Sequence, residues 1–135
     1  AKIPNGMPGV ETRLYLLWDG GVRTGRISLN RFVEITSTAP AKIFGLYPHK
    51  GTVAVGADAD LLVWDGDKEH TLDHANLHMR VDYAAYPEKT VLGAPRYVLS
   101  RGELVIDARA GAGKNAVCLG RTGRGQYLRC GTFNL

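Results

Sequence analysis

The spacing of apolar residues changes at Pro48, and that change limits the folds open to this chain. Upstream, Val10, Leu14, Leu17 and Trp18 recur at i, i+4, i+7 and i+8, one face of an amphipathic helix. The spacing predicts a helix from about Val10 to Arg23 that stops near Gly25, with Gly20 and Gly21 weakening its last turn. Ser28 is a suitable N-cap for a second helix that buries Leu29, Phe32 and Val33. A third is expected from Thr38, with Pro40 in its first turn, Ile43 and Phe44 on its apolar face and Gly45 as its stop. Downstream of Pro48 the language is that of strands. "TVAVG" (52–56) alternates, and "LLVW" (61–64) is a short apolar run suited to a strand buried on both faces. "RYVLSRGELVI" reads as a hairpin, Tyr97 to Ser100 and Glu103 to Ile106 flanking the two-residue turn Arg101-Gly102. From Ala108 onward Gly and Ala dominate, which predicts a loop or arm with one short ordered stretch at "GQYLRC" (125–130).

The order is therefore a loop, three helices, several strands and a tail, parts of two layers or two domains. A length of 135 residues suffices for one modest core, and 44% hydrophobic with 22% charged residues is ordinary for a globular chain. No apolar run approaches the roughly 18 residues of a membrane helix, and no segment reads as a signal peptide. The first residue is Ala1, which reads as a processed, trimmed or internal start.

Net charge is +4, and the tail concentrates it: Arg109, Lys114, Arg121, Arg124 and Arg129 lie where no acidic residue follows Asp107. No nucleic-acid motif accompanies that charge, so a solvated or subunit-contacting tail is the expectation. Cys118 and Cys130 match no zinc or redox spacing. Reduced thiols are expected, and a disulfide stays open.

Several groups invite chemistry and are better read as structure. His70, His74 and His78 would line one side of a helix, but they fall among strand-like segments and complete no metal signature. Surface or interface histidines are expected. Asp58 and Asp60 suit a turn before a strand better than a catalytic dyad, and "GAGKNA" (111–116) lacks the full phosphate-loop spacing. The stretch "IPNGMPG" (3–9) is different. Asn5-Gly6 favours a tight turn, and Pro4 and Pro8 stiffen its flanks. Such a loop can hold main-chain N–H and C=O groups outward at fixed angles, suited to a planar amide or imide ring. A plain loop before a helix is the competing reading.

"KIPNGMPGVETRL", "GRISLNRFVEITSTAPAKIFGLYPHKGTVAVGADADLLVWD", "VDYAAY" and "VLSRGELVI" together resemble the carboxy-terminal region of dihydropyrimidinases and D-hydantoinases, which are cyclic amidohydrolases. The likeness runs from about Lys2 to Asp107 and resumes weakly at "GRGQYL". It implies an α/β fold: residues 1–48 as substrate loop and last helices of a metal-dependent (β/α)₈ barrel, 49–107 as carboxy-terminal strands of a small β-sandwich, and 108–135 as a Gly-rich basic tail. It implies hydrolysis of 5,6-dihydropyrimidines or 5-substituted hydantoins to N-carbamoyl amino acids, through a hydroxide bridging two metal ions, commonly zinc. The family's ligands are a His-x-His pair, a carboxylated lysine, two further histidines and an aspartate. All precede the matched region, and none of His49, His70, His74 or His78 falls on a ligand position. The resemblance thus implies two zinc ions per full-length subunit with no ligand in this chain, and an inactive fragment.

The resemblance leaves one substrate contact here, the main chain of Asn5, supported by Pro4 and Gly6. It further implies a cytoplasmic homo-oligomer, dimer or tetramer, that engages a small cyclic amide and neither nucleic acid nor membrane. Leu14, Trp18, Phe32 and Phe44 would pack on barrel strands outside this chain and be exposed without them. A non-catalytic dihydropyrimidinase-like scaffold is the alternative.

Overall fold

The computed structural model describes residues 6–132. Helix α1 (Arg13–Leu17) runs on into a π-helical turn, Trp18–Val22. Its buried side chains are Thr12, just before its first turn, and Tyr15. Val10, expected on the apolar face, is 87% exposed because it precedes the helix. The π turn takes in Gly20 and Gly21, and its i→i+5 bond from Arg23 N–H to Trp18 C=O (3.0 Å) inserts a residue into the period.

Ser28 caps α2 (Leu29–Val33) as expected, its Oγ accepting from Arg31 N–H at 3.1 Å. Only Phe32 of the three expected core residues is buried; Leu29 and Val33 point outward. The second and third helices prove to be one rod. A π turn, Glu34–Thr38, joins α2 to α3 (Ala39–Ile43), and Thr38 is helical rather than a cap. Its hydroxyl donates instead to Gly51 C=O at 2.7 Å. The wide turn lies just ahead of Pro40, whose ring has no N–H and would crowd the carbonyl four residues back in a regular α-helix. Gly45, at φ +64°, ends the rod. Its N–H donates to Lys42 C=O (3.1 Å) and Leu46 N–H to Ala41 C=O (2.8 Å), the paired bonds of a Schellman stop.

A four-stranded antiparallel sheet follows in the order β1 (Leu61–Leu72), β2 (Lys89–Ser100), β3 (Glu103–Asp107) and β4 (Val117–Cys118). Residues 52–56 do not form a strand, and Val53 and Val55 are exposed. β1 is three times the length of the apolar run that marks it, and it is not buried on both faces: Leu62 and Val63 are exposed on an edge strand. The hairpin is as expected. Ser100 pairs with Glu103, and both turn residues have positive φ, Arg101 at 49° and Gly102 at 77°, which matches a right-twisted pair of strands.

The helices dock on the sheet where its ladder is irregular. Asp65 pairs with Ala94 and Glu69 with Leu92, so a step of four residues in β1 spans a step of two in β2. Trp18 Nε1–H donates to Gly66 C=O in that bulge at 3.1 Å. Trp18 also meets Phe32 edge-on at 5.6 Å and Trp64 at 5.7 Å between ring centroids. Asp19 carboxylate accepts from Leu92 N–H at 3.1 Å and from Arg23 at 2.8 Å. Tyr15, Leu72, Val91, Ala94 and Ala112 form the core, with Leu16 and Trp64 packed against it. Trp18 and Phe32, expected to be exposed without further chain, therefore find partners on this sheet, while Phe44 is 65% exposed as anticipated.

The tail has no helix or strand at 125–130. It is held by single contacts: Arg124 donates to Ser100 C=O (2.8 Å) and Glu103 (3.1 Å), Arg101 donates to Arg124 C=O, and Gly131 N–H donates to Gly45 C=O (2.8 Å). Of the tail's basic residues, Arg124 rests on the hairpin, while Arg109 pairs with Asp107 at 2.7 Å. Cys118 and Cys130 are free and exposed.

Candidate functional site

Of the loop residues named from sequence, Pro4 and Asn5 lie outside the described residues, and Gly6 lies within them. Gly6 and Met7 are exposed, and nothing stands within 4 Å of where a Cβ at Gly6 would be. The loop then turns into α1, fastened by Thr12 Oγ1–H donating to Gly9 C=O at 3.3 Å. An apolar cleft of about 280 Å³ opens beside it, lined by Met7, Gly9, Thr12, Leu16, Leu17 and Tyr86 among others.

Glu11, the first acid after the loop, organises the titratable groups nearby. Its Oε2 accepts from His78 N–H at 2.7 Å and its Oε1 meets His78 Nδ1 at 2.8 Å. An ionised carboxylate only accepts, so the imidazole is the donor. Tyr15 lies one helical turn on, its ring 4.9 Å from that of His70. Burial, and then the negative charge of Glu11, push the Tyr15 hydroxyl up to about 12. Burial pushes the His70 imidazole below its ordinary value, with Glu11 opposing. His70 is 8% exposed, and its Nε2 has no partner among the described residues. These groups hold the helix start against the sheet.

The three spaced histidines do not converge. His70 is in β1, His74 meets Asp73 at 2.9 Å, and His78 binds Glu11. Among the described residues no group of three or more His, Cys, Asp or Glu could hold a metal ion. The acidic pair serves structure: Lys50 bridges Asp58 (2.8 Å) and Asp60, and Asp60 accepts from Arg101 N–H at 2.7 Å, bracing the hairpin turn. "GAGKNA" forms a short 3₁₀ turn, Gly113–Asn115, whose Lys114 Nζ donates to His74 C=O at 3.2 Å. Sequence reasoning missed Glu11, and it did not connect Tyr83 and Tyr86 of "VDYAAY" with the loop. Tyr83 hydroxyl donates, at a long 3.5 Å, to Gly6 C=O.

The chain belongs to the amidohydrolase family, whose model matches residues 5–105 and so takes in most of the loop and of the hairpin. Its relatives include D-hydantoinases: that of Rhizobium radiobacter is 49% identical over 78% of this chain and 23% of its own length. The D-hydantoinase of Geobacillus stearothermophilus is 46% identical over 95% of this chain and 26% of its own. Among solved structures, D-hydantoinase from Bacillus sp. AR9 superposes with a TM-score of 0.88 at 46% identity, covering 98% of this chain and 27% of that one. Dihydropyrimidinase from Brevibacillus agri NCHU1002 superposes at 0.86 with 44% identity, over 98% of this chain and 27% of that one. The chain thus spans about a quarter of the length of the relatives it matches.

Proposed function

We propose that this chain is part of a cyclic amidohydrolase that opens 5,6-dihydropyrimidines or 5-substituted hydantoins to N-carbamoyl amino acids. One observation carries the reading: identity of 43–49% over at least 78% of the chain to proteins named D-hydantoinase or D-phenylhydantoinase. Within that enzyme, residues 1–48 supply the substrate loop and the last helices of the barrel. Residues 49–107 supply strands of the sandwich, and 108–135 form the tail. Asn5 reads the ring through its main chain, with Pro4 and Gly6 fixing the turn. The open space around Gly6 supports this, because a planar ring can approach the backbone there without meeting a side chain.

The two zinc ions implied by the resemblance do not fit the residues in hand, since the described part offers no ligand cluster. Their ligands belong to other parts of the parent enzyme, a cytoplasmic homo-oligomer, and the 135-residue chain alone is inactive. The names of the relatives favour an enzyme over a non-catalytic scaffold. The test is ring opening by the full-length parent. Release of the N-carbamoyl product from dihydrouracil or hydantoin is expected, and a metal-loaded parent that opens neither ring overturns the proposal.

A further inference from the structure

Residues 73–88, which return the chain from β1 to β2, lie against the candidate substrate loop. Their base is firmly held. Leu77 is fully buried, Asn76 and Leu77 N–H both donate to Asp73 C=O (2.9 and 3.0 Å), and Lys114 N–H donates to Asn76 C=O at 2.9 Å. From this base two arms reach the loop. His78 grips Glu11 through both its backbone N–H and its imidazole, at 2.7 and 2.8 Å. Tyr83 reaches Gly6 C=O, the weaker contact, and Tyr86 closes the cleft beside Met7 and Gly9. Gly6 and Glu11 bracket the second half of the loop, so both ends of that half are tied to one segment more than sixty residues away in sequence.

We infer that the segment 73–88 positions the substrate loop, with Glu11 and His78 as the pinning pair and Tyr83 as a support on Gly6. The inference rests on the reading of that loop as the ring-binding element. The carboxylate is suited to the task because two converging N–H groups fix its plane, and with it the entry of the chain into α1. His78 and Glu11 are positioning residues, since neither would touch the ring.

Two experiments separate the pin from its use. In the 135-residue chain, Glu11→Ala should speed hydrogen exchange by about tenfold at the His78 amide, which donates to Glu11, and at the Leu16 amide, which donates to Thr12 C=O in the first turn after the loop, the worth of a hydrogen bond to a charged group. Amides of β2 and β3 should be unchanged. Glu11→Gln, which keeps an acceptor for His78 N–H, should restore most of the protection at both amides, and Tyr83→Phe, which removes only the long contact to Gly6 C=O, should leave them within about twofold of wild type. Unchanged exchange at His78 and Leu16, or equal acceleration in the sheet, overturns the inference. In the full-length parent, Glu11→Ala should raise KM for the cyclic amide by a similar factor and leave kcat close to wild type. Loss of kcat with KM unchanged overturns the positioning role. A wild-type parent that opens no ring defeats the functional reading, while the exchange result still decides whether the pin exists.

Discussion

The indole of Trp18 occupies the space that a side chain at Gly93 would need. A Cβ there would stand 2.1 Å from Trp18 Cδ1 and 2.6 Å from Nε1, both too close for any real contact. Gly93 lies in β2 opposite the bulge whose Gly66 carbonyl binds the same indole. One aromatic ring, set by the π turn at the end of α1, thus joins the helices to two strands.

Gly93→Ala should therefore destabilise the chain by about 3 kcal/mol, from overpacking against Trp18 together with the strain of an alanine at φ +101°. Urea denaturation of the 135-residue chain measures this, as a fall in midpoint at constant slope. A change under about 0.5 kcal/mol would mean that the helices are not seated on β2 in this way.

Phe32 and Phe44 provide a contrast on one helical rod. Phe32 is 6% exposed against Trp18 and Trp64, so Phe32→Ala should cost about 3–5 kcal/mol. Phe44 is 65% exposed, so Phe44→Ser should change stability by no more than about 0.5 kcal/mol. Thermal or urea unfolding of both variants checks the difference. On the proposed reading Phe44 faces the rest of the parent enzyme, so the same substitution should lower self-association of the isolated chain, measured by light scattering.

Acid should weaken the fold through His70. Its folded pKa lies below the ordinary 6.5 because the neutral ring is buried beside Tyr15. The unfolded chain then binds the proton more readily, so the contribution is fully present above about pH 6.5 and is lost as pH falls through the folded value. Asp19 acts in the same direction at lower pH. The Leu92 N–H, and then Arg23, hold its carboxyl below the usual range, so its contribution is present above about pH 4 and fades below that. Urea midpoints between pH 8 and 5 should fall for wild type and less for His70→Phe. Equal slopes would mean that His70 is not buried as a neutral ring.

Local signals were the legible ones. The two-residue turn Arg101-Gly102, the Ser28 cap and the Gly45 stop each depend on a few adjacent residues, and each forms as read. What failed depends on partners distant in sequence. Val53 and Val55 alternate like a strand but have no neighbouring strand to pair with among the described residues. The helix starts at Arg13, later than the apolar spacing suggests, so Val10 falls outside it and Tyr15 is its buried side chain, with Asp19 fastened to β2 through Leu92 N–H. Thr38 and Pro40 resemble a helix start, yet a π turn lets one rod run through them. At the candidate site the irregular backbone of residues 6–9 was legible from its Pro and Gly residues. Its tie to His78 was not, because Glu11 and His78 meet only after β1 has turned back.

On the proposed reading, the chain serves a cyclic-amide hydrolase by holding the ring through the main chain of its first loop. The kcat/KM of the full-length parent for hydantoin and dihydrouracil, compared between Asn5→Ala and Gly6→Val, tests it most directly. Asn5→Ala keeps the backbone groups and should stay within about fivefold of wild type, while Gly6→Val restricts the turn and should lose about 100-fold, in the range expected when the reacting geometry is misplaced. Loss of activity in Asn5→Ala with Gly6→Val near wild type would contradict the claim.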